Sequence, residues 1–144
     1  MSRKERIWVI DDDHAIRWVL EKALQRDGVT VTTFESAAGV LDALRQGTPD
    51  AVIADIRMPG MSGLELLARL RERAPELPVI IMTAHSDLDS AVSAYQGGAF
   101  EYLPKPFDVD EAVALVRRAC LTHRQRTEPA EPVEPLPEII GEAP

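Results

Sequence analysis

Cysteine is almost absent: Cys120 stands alone, which rules out an internal disulfide, and it falls among residues of helical spacing, where a packed, idle thiol is expected. No apolar run approaches the ~20 residues that a membrane helix needs. The opening Met1-Ser2-Arg3-Lys4-Glu5-Arg6 is charged and has no apolar signal region behind it. A reducing cytoplasm is the expected setting. A surplus of basic groups is missing too. Against 16 Lys and Arg stand 24 Asp and Glu, a formal net charge of -8. That balance argues against direct nucleic-acid binding, which needs a basic face. No internal repeat is visible. What remains is a chain of 144 residues, 45% hydrophobic, enough for one core and not for a second domain.

The apolar residues follow two alternating spacings. Strand-like runs lie at about 6–10, 29–33, 50–54, 77–82 and 100–103. Between them come stretches of helical period. Ile16, Val19, Leu20, Ala23 and Leu24 are stopped by Gly28, and Ala37, Val40, Leu41 and Leu44 are closed by Gly47 and Pro49. Leu64, Leu67, Ala68 and Leu70 lead to Pro75, and Val113, Leu115, Val116 and Ala119 mark the last helix. Another helix is expected from Ser86 to Gly98, with Ser86 at its N-cap and Asp89 at the third helical position. Its apolar face reads as Leu88, Ala91, Val92 and Tyr95, narrow and made largely of small groups. With three serines and a Gly97-Gly98 end, it is expected to be weakly held. Five strands alternating with five helices predict right-handed crossovers and a doubly wound parallel sheet. The runs 51–54 and 79–82 are apolar without alternation, as strands covered on both faces are. The fold class is therefore α/β, flavodoxin-like, with strand order 2-1-3-4-5.

Where the strands should end, the chain turns polar. Ile7-Trp8-Val9-Ile10 runs into Asp11-Asp12-Asp13, Ala51-Val52-Ile53-Ala54 into Asp55, Val79-Ile80-Ile81-Met82 into Thr83, and Phe100-Glu101-Tyr102-Leu103 into Pro104-Lys105-Pro106. In an open α/β sheet the crevice lies beyond the carboxyl ends of the strands, so these groups converge. Asp13 directly precedes a helix and is better read as its N-cap. Asp11 and Asp12 would repel each other and Asp55, which raises a pKa or demands a counter-charge. Magnesium meets that demand, taking one or two carboxylates with waters and phosphate oxygens; no calcium loop of the EF-hand kind is present. Asp55 precedes a loop with a proline and two glycines that leaves backbone free for a ligand, and a carboxylate can be a covalent nucleophile for phosphoryl groups. The plainer alternative makes Asp55 one more metal ligand. Thr83 alone could simply cap a strand. Lys105, between two prolines, is expected on a stiff loop, with one of the X-Pro bonds a candidate for cis. Its ammonium would pair with Asp55 and later with a phosphate oxygen.

These stretches together resemble the bacterial response-regulator receiver domain, from about Ile7 to His123. The resemblance extends to the receivers of nitrogen-regulatory activators that work with sigma-54 RNA polymerase. The likeness is carried by Trp8-Val9-Ile10-Asp11-Asp12-Asp13, by Ile16-Arg17-Trp18-Val19-Leu20, and by Asp55-Ile56-Arg57-Met58-Pro59-Gly60-Met61-Ser62-Gly63. Most specific are the run from Ile80 through Thr83-Ala84-His85-Ser86-Asp87-Leu88-Asp89 and the run Tyr102-Leu103-Pro104-Lys105-Pro106-Phe107-Asp108. The resemblance implies Asp55 as phosphoacceptor for a sensor histidine kinase. It implies magnesium held by Asp12, Asp55 and the backbone carbonyl of Arg57, with Asp11 acting through a water. In the register of that family's spacing to Ile16-Arg17, the resemblance implies Asp11 and Asp12 as the acidic pair, with Asp13 outside it. Thr83 and Lys105 would contact the phosphoryl group, with Tyr102 a switching aromatic. Phosphorylation is then expected to shift the helix at 86–98 and expose part of the Leu88–Ala91–Val92 surface to an adjoining ATPase module or a second receiver.

Residues 1–124 are thus expected to form the receiver. From Gln125 to Pro144 the chain holds five of its 11 prolines and five glutamates, an acidic, extended linker without period. Its end, Ile139-Ile140-Gly141-Glu142-Ala143-Pro144, resembles the opening of the AAA+ ATPase module of such activators. ATPase and DNA-binding parts would lie outside this chain, and no Walker A motif is present. One rival is a haloacid-dehalogenase-like phosphatase with Asp11 as nucleophile and Asp13 as acid. That family needs an acidic pair after the lysine strand and usually a cap domain, whereas Lys105 is followed by Phe107-Asp108 and a helix. A magnesium-stabilised adaptor without phosphotransfer is the third reading.

Overall fold

Residues 5–58, 60–84 and 87–127 are described by the structure, a computed structural model. Strands and helices alternate throughout: β1 (Arg6–Ile10), α1 (His14–Arg26), β2 (Thr30–Phe34), α2 (Ala37–Leu44), β3 (Ala51–Asp55), α3 (Gly63–Arg73), β4 (Val79–Ala84), α4 (Leu88–Gln96), β5 (Glu101–Lys105) and α5 (Val109–Thr127). The sheet is parallel, in the order β2-β1-β3-β4-β5 expected from the spacing.

β3 is buried along its whole length and β4 in all but its last residue, because helices cover both faces of the sheet. Alternate side chains divide between two cores. Val52, Ala54 and Ile81 join Val40, Leu66, Leu67 and Leu70 of α2 and α3. Ile53, Ile80 and Met82 join Leu20, Leu24, Val116 and Ala119 of α1 and α5. Asp13 caps α1 as expected, its side chain accepting from the Ala15 N–H at 2.9 Å. Gly28 ends that helix in the left-handed region, φ +91°, where a side chain is disfavoured. Buried Cys120 belongs to the α1–α5 side, and burial pushes its thiol up to about 12, so it is an inert packing group.

α4 differs from expectation. Ser86, the expected cap, lies outside the described residues, and the cap observed is Asp87, accepting from the Ser90 N–H at 3.2 Å. Ala91 and Ala94 are the buried pair, while Leu88, Val92 and Tyr95 are 68, 46 and 43% exposed. The sequence reading merged two stripes. Residues 88, 92 and 95 share one face, residues 91 and 94 the next, and the face of small groups is the one seated against the domain. Lys105 also departs from expectation, standing at the end of β5 opposite Ala84 and not on a loop. Pro104 is tolerated inside that strand because β5 is an edge, with no second neighbour requiring its missing N–H. The Lys105–Pro106 bond is the cis one.

Candidate functional site

Four strand ends build the site. Asp11 follows β1 directly and is fully buried. It is held from every side. Its N–H donates to the Phe34 carbonyl at 3.1 Å, and its Oδ1 accepts from the Asp13 N–H at 2.8 Å. Its Oδ2 accepts from Lys105 Nζ at 2.8 Å, and its carbonyl accepts from Arg17 Nη1 at 2.6 Å. Asp55, the last residue of β3, has its Oδ1 3.4 Å from the same Nζ. Its carboxylate also receives the backbone N–H of Arg57. Asp12 is exposed, yet one carboxylate oxygen each from Asp11, Asp12 and Asp55 lie within 4.8 Å of one another. Thr83 is buried near the end of β4, one residue past the partner of Asp55 and one before the partner of Lys105.

The electrostatics follow from that crowding. Burial, then repulsion from Asp11, raises the Asp55 carboxyl above its usual range, with Lys105 acting the other way. Burial alone would lower Lys105, but its hydrogen bond and attraction to Asp11, then to Asp55, outweigh that and hold the ammonium above its ordinary value. One ammonium pairs with two carboxylates of a cluster of three. The donor set is hard oxygen, with one exposed member reaching solvent, and it fits a divalent ion that keeps waters and few carboxylates. The acidic cluster is positioned to coordinate such an ion, as magnesium.

Asp11, Asp12, Asp55 and Lys105 are thus brought together as the sequence predicts, with Thr83 on the intervening strand. Asp13 serves the helix instead. Tyr102 lies lower on β5, opposite Ile81, its ring edge-on to Tyr95 with centroids 5.4 Å apart. Leu88, Ala91 and Val92 sit on α4. Three contacts around the site went unread in the sequence. Arg17 clamps the Asp11 carbonyl. Arg57 pairs with Asp87, Nη2 to Oδ2 at 3.3 Å, and hydrogen bonds from Ser90, then from Arg57, hold the Asp87 carboxyl below its usual range. Gly63 approaches the backbone of Asp55 so closely that a Cβ there would lie 2.4 Å from its carbonyl oxygen. Arginine reach and close approach leave little local signal; a glycine opening a helix after Ser62 was the one hint.

Residues 7–117 match the family model of the response regulator receiver domain. The chain is a receiver domain of that family. It is 62% identical over 141 residues to the DNA-binding transcriptional regulator NtrC of Escherichia coli K12, covering 96% of this chain and 30% of that protein. It is 41% identical over 119 residues to the C4-dicarboxylate transport regulatory protein DctD of Rhizobium meliloti, covering 83% and 26%. The solution structure of the apo receiver of NtrC superposes with a TM-score of 0.77 at 64% identity, covering 86% of this chain and 99% of that one. The BeF3-activated form of the same receiver gives 0.73 at the same identity and coverage. The receiver spans under a third of the length of these curated relatives. It acts as a regulatory phosphorylation domain of the NtrC type and not as a classical enzyme, which sets the phosphatase reading aside. Among the described residues no helix is long and apolar enough to cross a membrane.

Proposed function

We propose that Asp55 is the phosphoacceptor and that a sensor histidine kinase is the donor. The observation that carries this is Lys105 bridging Asp11 and Asp55 at 2.8 and 3.4 Å, beside a three-carboxylate cluster at the strand ends. One Asp55 oxygen bonds to phosphorus as the P–N bond of a phosphohistidine breaks, and the electron pair stays on the imidazole nitrogen. Asp11, Asp12, Asp55 and the Arg57 carbonyl would hold magnesium, which when bound supplies positive charge against the phosphoryl oxygens. Lys105 is fixed by Asp11 within reach of the same oxygens, so no reorganisation is needed at the moment of transfer. The Thr83 hydroxyl takes another phosphoryl oxygen. Its movement draws on the chain that leads into α4, and Tyr102 follows into the space it leaves.

The switch output lies on α4. Leu88 and Val92 already face solvent and Ala91 is buried, so the part of the Leu88–Ala91–Val92 surface that phosphorylation newly exposes is the Ala91 part, as the helix reorients. Similarity to NtrC supports a wider reading. The receiver, residues 1–124, precedes an acidic linker, residues 125–144, and AAA+ and DNA-binding parts beyond it, in a cytoplasmic sigma-54-dependent activator of nitrogen regulation. Residues 128–144 lie outside the described residues, and α5 runs on to Thr127. A receiver dimer accords with this reading. Intact mass after incubation with acetyl phosphate and magnesium tests its base. One added phosphate is expected, absent in Asp55→Asn and in excess chelator; full phosphorylation of Asp55→Asn at another residue would overturn the assignment.

A further inference from the structure

Arg57 is joined to two parts of the domain at once. Its backbone N–H donates to the Asp55 carboxylate. Its guanidinium crosses to Asp87, the N-cap of α4. The two oxygens of Asp87 divide the work: Oδ1 accepts from the Ser90 N–H at 3.2 Å and closes the first turn, while Oδ2 takes Arg57 Nη2 at 3.3 Å. The Arg57 side chain is 78% exposed but that of Asp87 only 16%, so the pair bridges the surface to a fixed point. α4 itself buries only Ala91 and Ala94. With so little apolar burial, polar contacts at its first turn carry much of what places it.

We propose that the Arg57–Asp87 ion pair is a tether by which the Asp55 loop sets the position and order of the first turn of α4. The tether is a property of the unmodified receiver; its regulatory meaning rests on Asp55 being the phosphoacceptor. A group added to Asp55 changes the partner of the Arg57 N–H and so shifts the root of the side chain that holds the cap. This route runs from the β3–α3 loop directly to α4, independent of Thr83 and Tyr102. An exposed ion pair shifts an equilibrium only a few-fold. That is too little to hold a fold and enough to bias an element with two close states.

The test is amide hydrogen exchange on the whole chain, unphosphorylated, in the parent, Arg57→Gln, Asp87→Asn and the double variant. Asn remains a good N-cap, so Asp87→Asn removes the charge and keeps the cap. Each single change is expected to speed exchange across residues 88–96 by roughly two- to fivefold. The double variant should exchange no faster than either single one, Arg57→Lys should restore most of the protection, and α3 should be unaffected. The tether is overturned if Arg57→Gln leaves α4 exchange unchanged, or if the double variant shows the full product of both effects. Intact mass after acetyl phosphate and magnesium separates the two ideas. Phosphate on Asp55 of Arg57→Gln with parent-like α4 exchange sinks the tether alone; no phosphate on the parent sinks the phosphoacceptor reading alone.

Discussion

α3 and α4 each follow a functional strand end, yet they are anchored in opposite ways. α3 comes after Asp55, buries Leu66, Leu67 and Leu70, and closes its start with a reciprocal capping box between Ser62 and Glu65. α4 comes after Thr83, buries two alanines, and turns Leu88, Val92 and Tyr95 outward. A buried leucine contributes about 1.5–3 kcal/mol, an alanine methyl well under that. The two helices touch, so a disturbance between them is absorbed by the weaker one. If α4 is the reporter proposed above, its weak anchoring is what singles it out from α3.

Substitutions can break this contrast from its strong side first. Leu66→Ala is expected to cost about 2–5 kcal/mol, read as a lower urea midpoint at unchanged slope. A loss under about 1 kcal/mol would mean that α3 is no better anchored than its neighbour. Ser62→Ala removes one half of the capping box and should cost about 1 kcal/mol. Asp55→Asn should act in the other direction. The raised carboxyl means that ionised Asp55 disfavours the folded state, so the variant should melt higher at neutral pH without magnesium. The stability that parent Asp55 keeps when protonated is present below its unfolded value of about 3.8 and lost as pH rises through the raised folded one. The two melting curves should therefore converge as pH falls, and a constant gap down to acid pH would refute the electrostatic cause. The smallest effect belongs to α4. Leu88→Ser and Val92→Ser should change stability by no more than about 0.5 kcal/mol, because these side chains are already in water. A large loss in denaturant melts would show that this face is core after all.

The sequence made the sheet legible because each strand is a short apolar run ending in a polar group, and one parallel order satisfies five such units. It made the acidic cluster legible because carboxylates directly after buried strands, as at Asp11 and Asp55, meet beyond the sheet's carboxyl edge. α4 was harder. Helical spacing shows which residues share a stripe, but Leu88-Val92-Tyr95 and Ala91-Ala94 both qualify as apolar, and tertiary space chose the smaller. The Arg17 and Arg57 contacts rest on long side chains whose reach no local pattern encodes. The far end of the sheet was invisible for a similar reason. There Asp50 Oδ1 lies 3.2 Å from His123 Nδ1 and its Oδ2 accepts from the Arg6 N–H, a union of residues 73 positions apart.

Gly63 gives the site its direction. With its N–H donating to the Ile56 carbonyl at 2.9 Å, and no room for even a methyl against Asp55 and Ile56, the start of α3 stands hard against the main chain of Asp55. A phosphoryl group arriving on the side chain cannot make space by pushing that main chain back. On the proposed reading the crevice would work as a vice with one jaw bolted and the other on a spring, and whatever enters it would be measured by the travel of the sprung side.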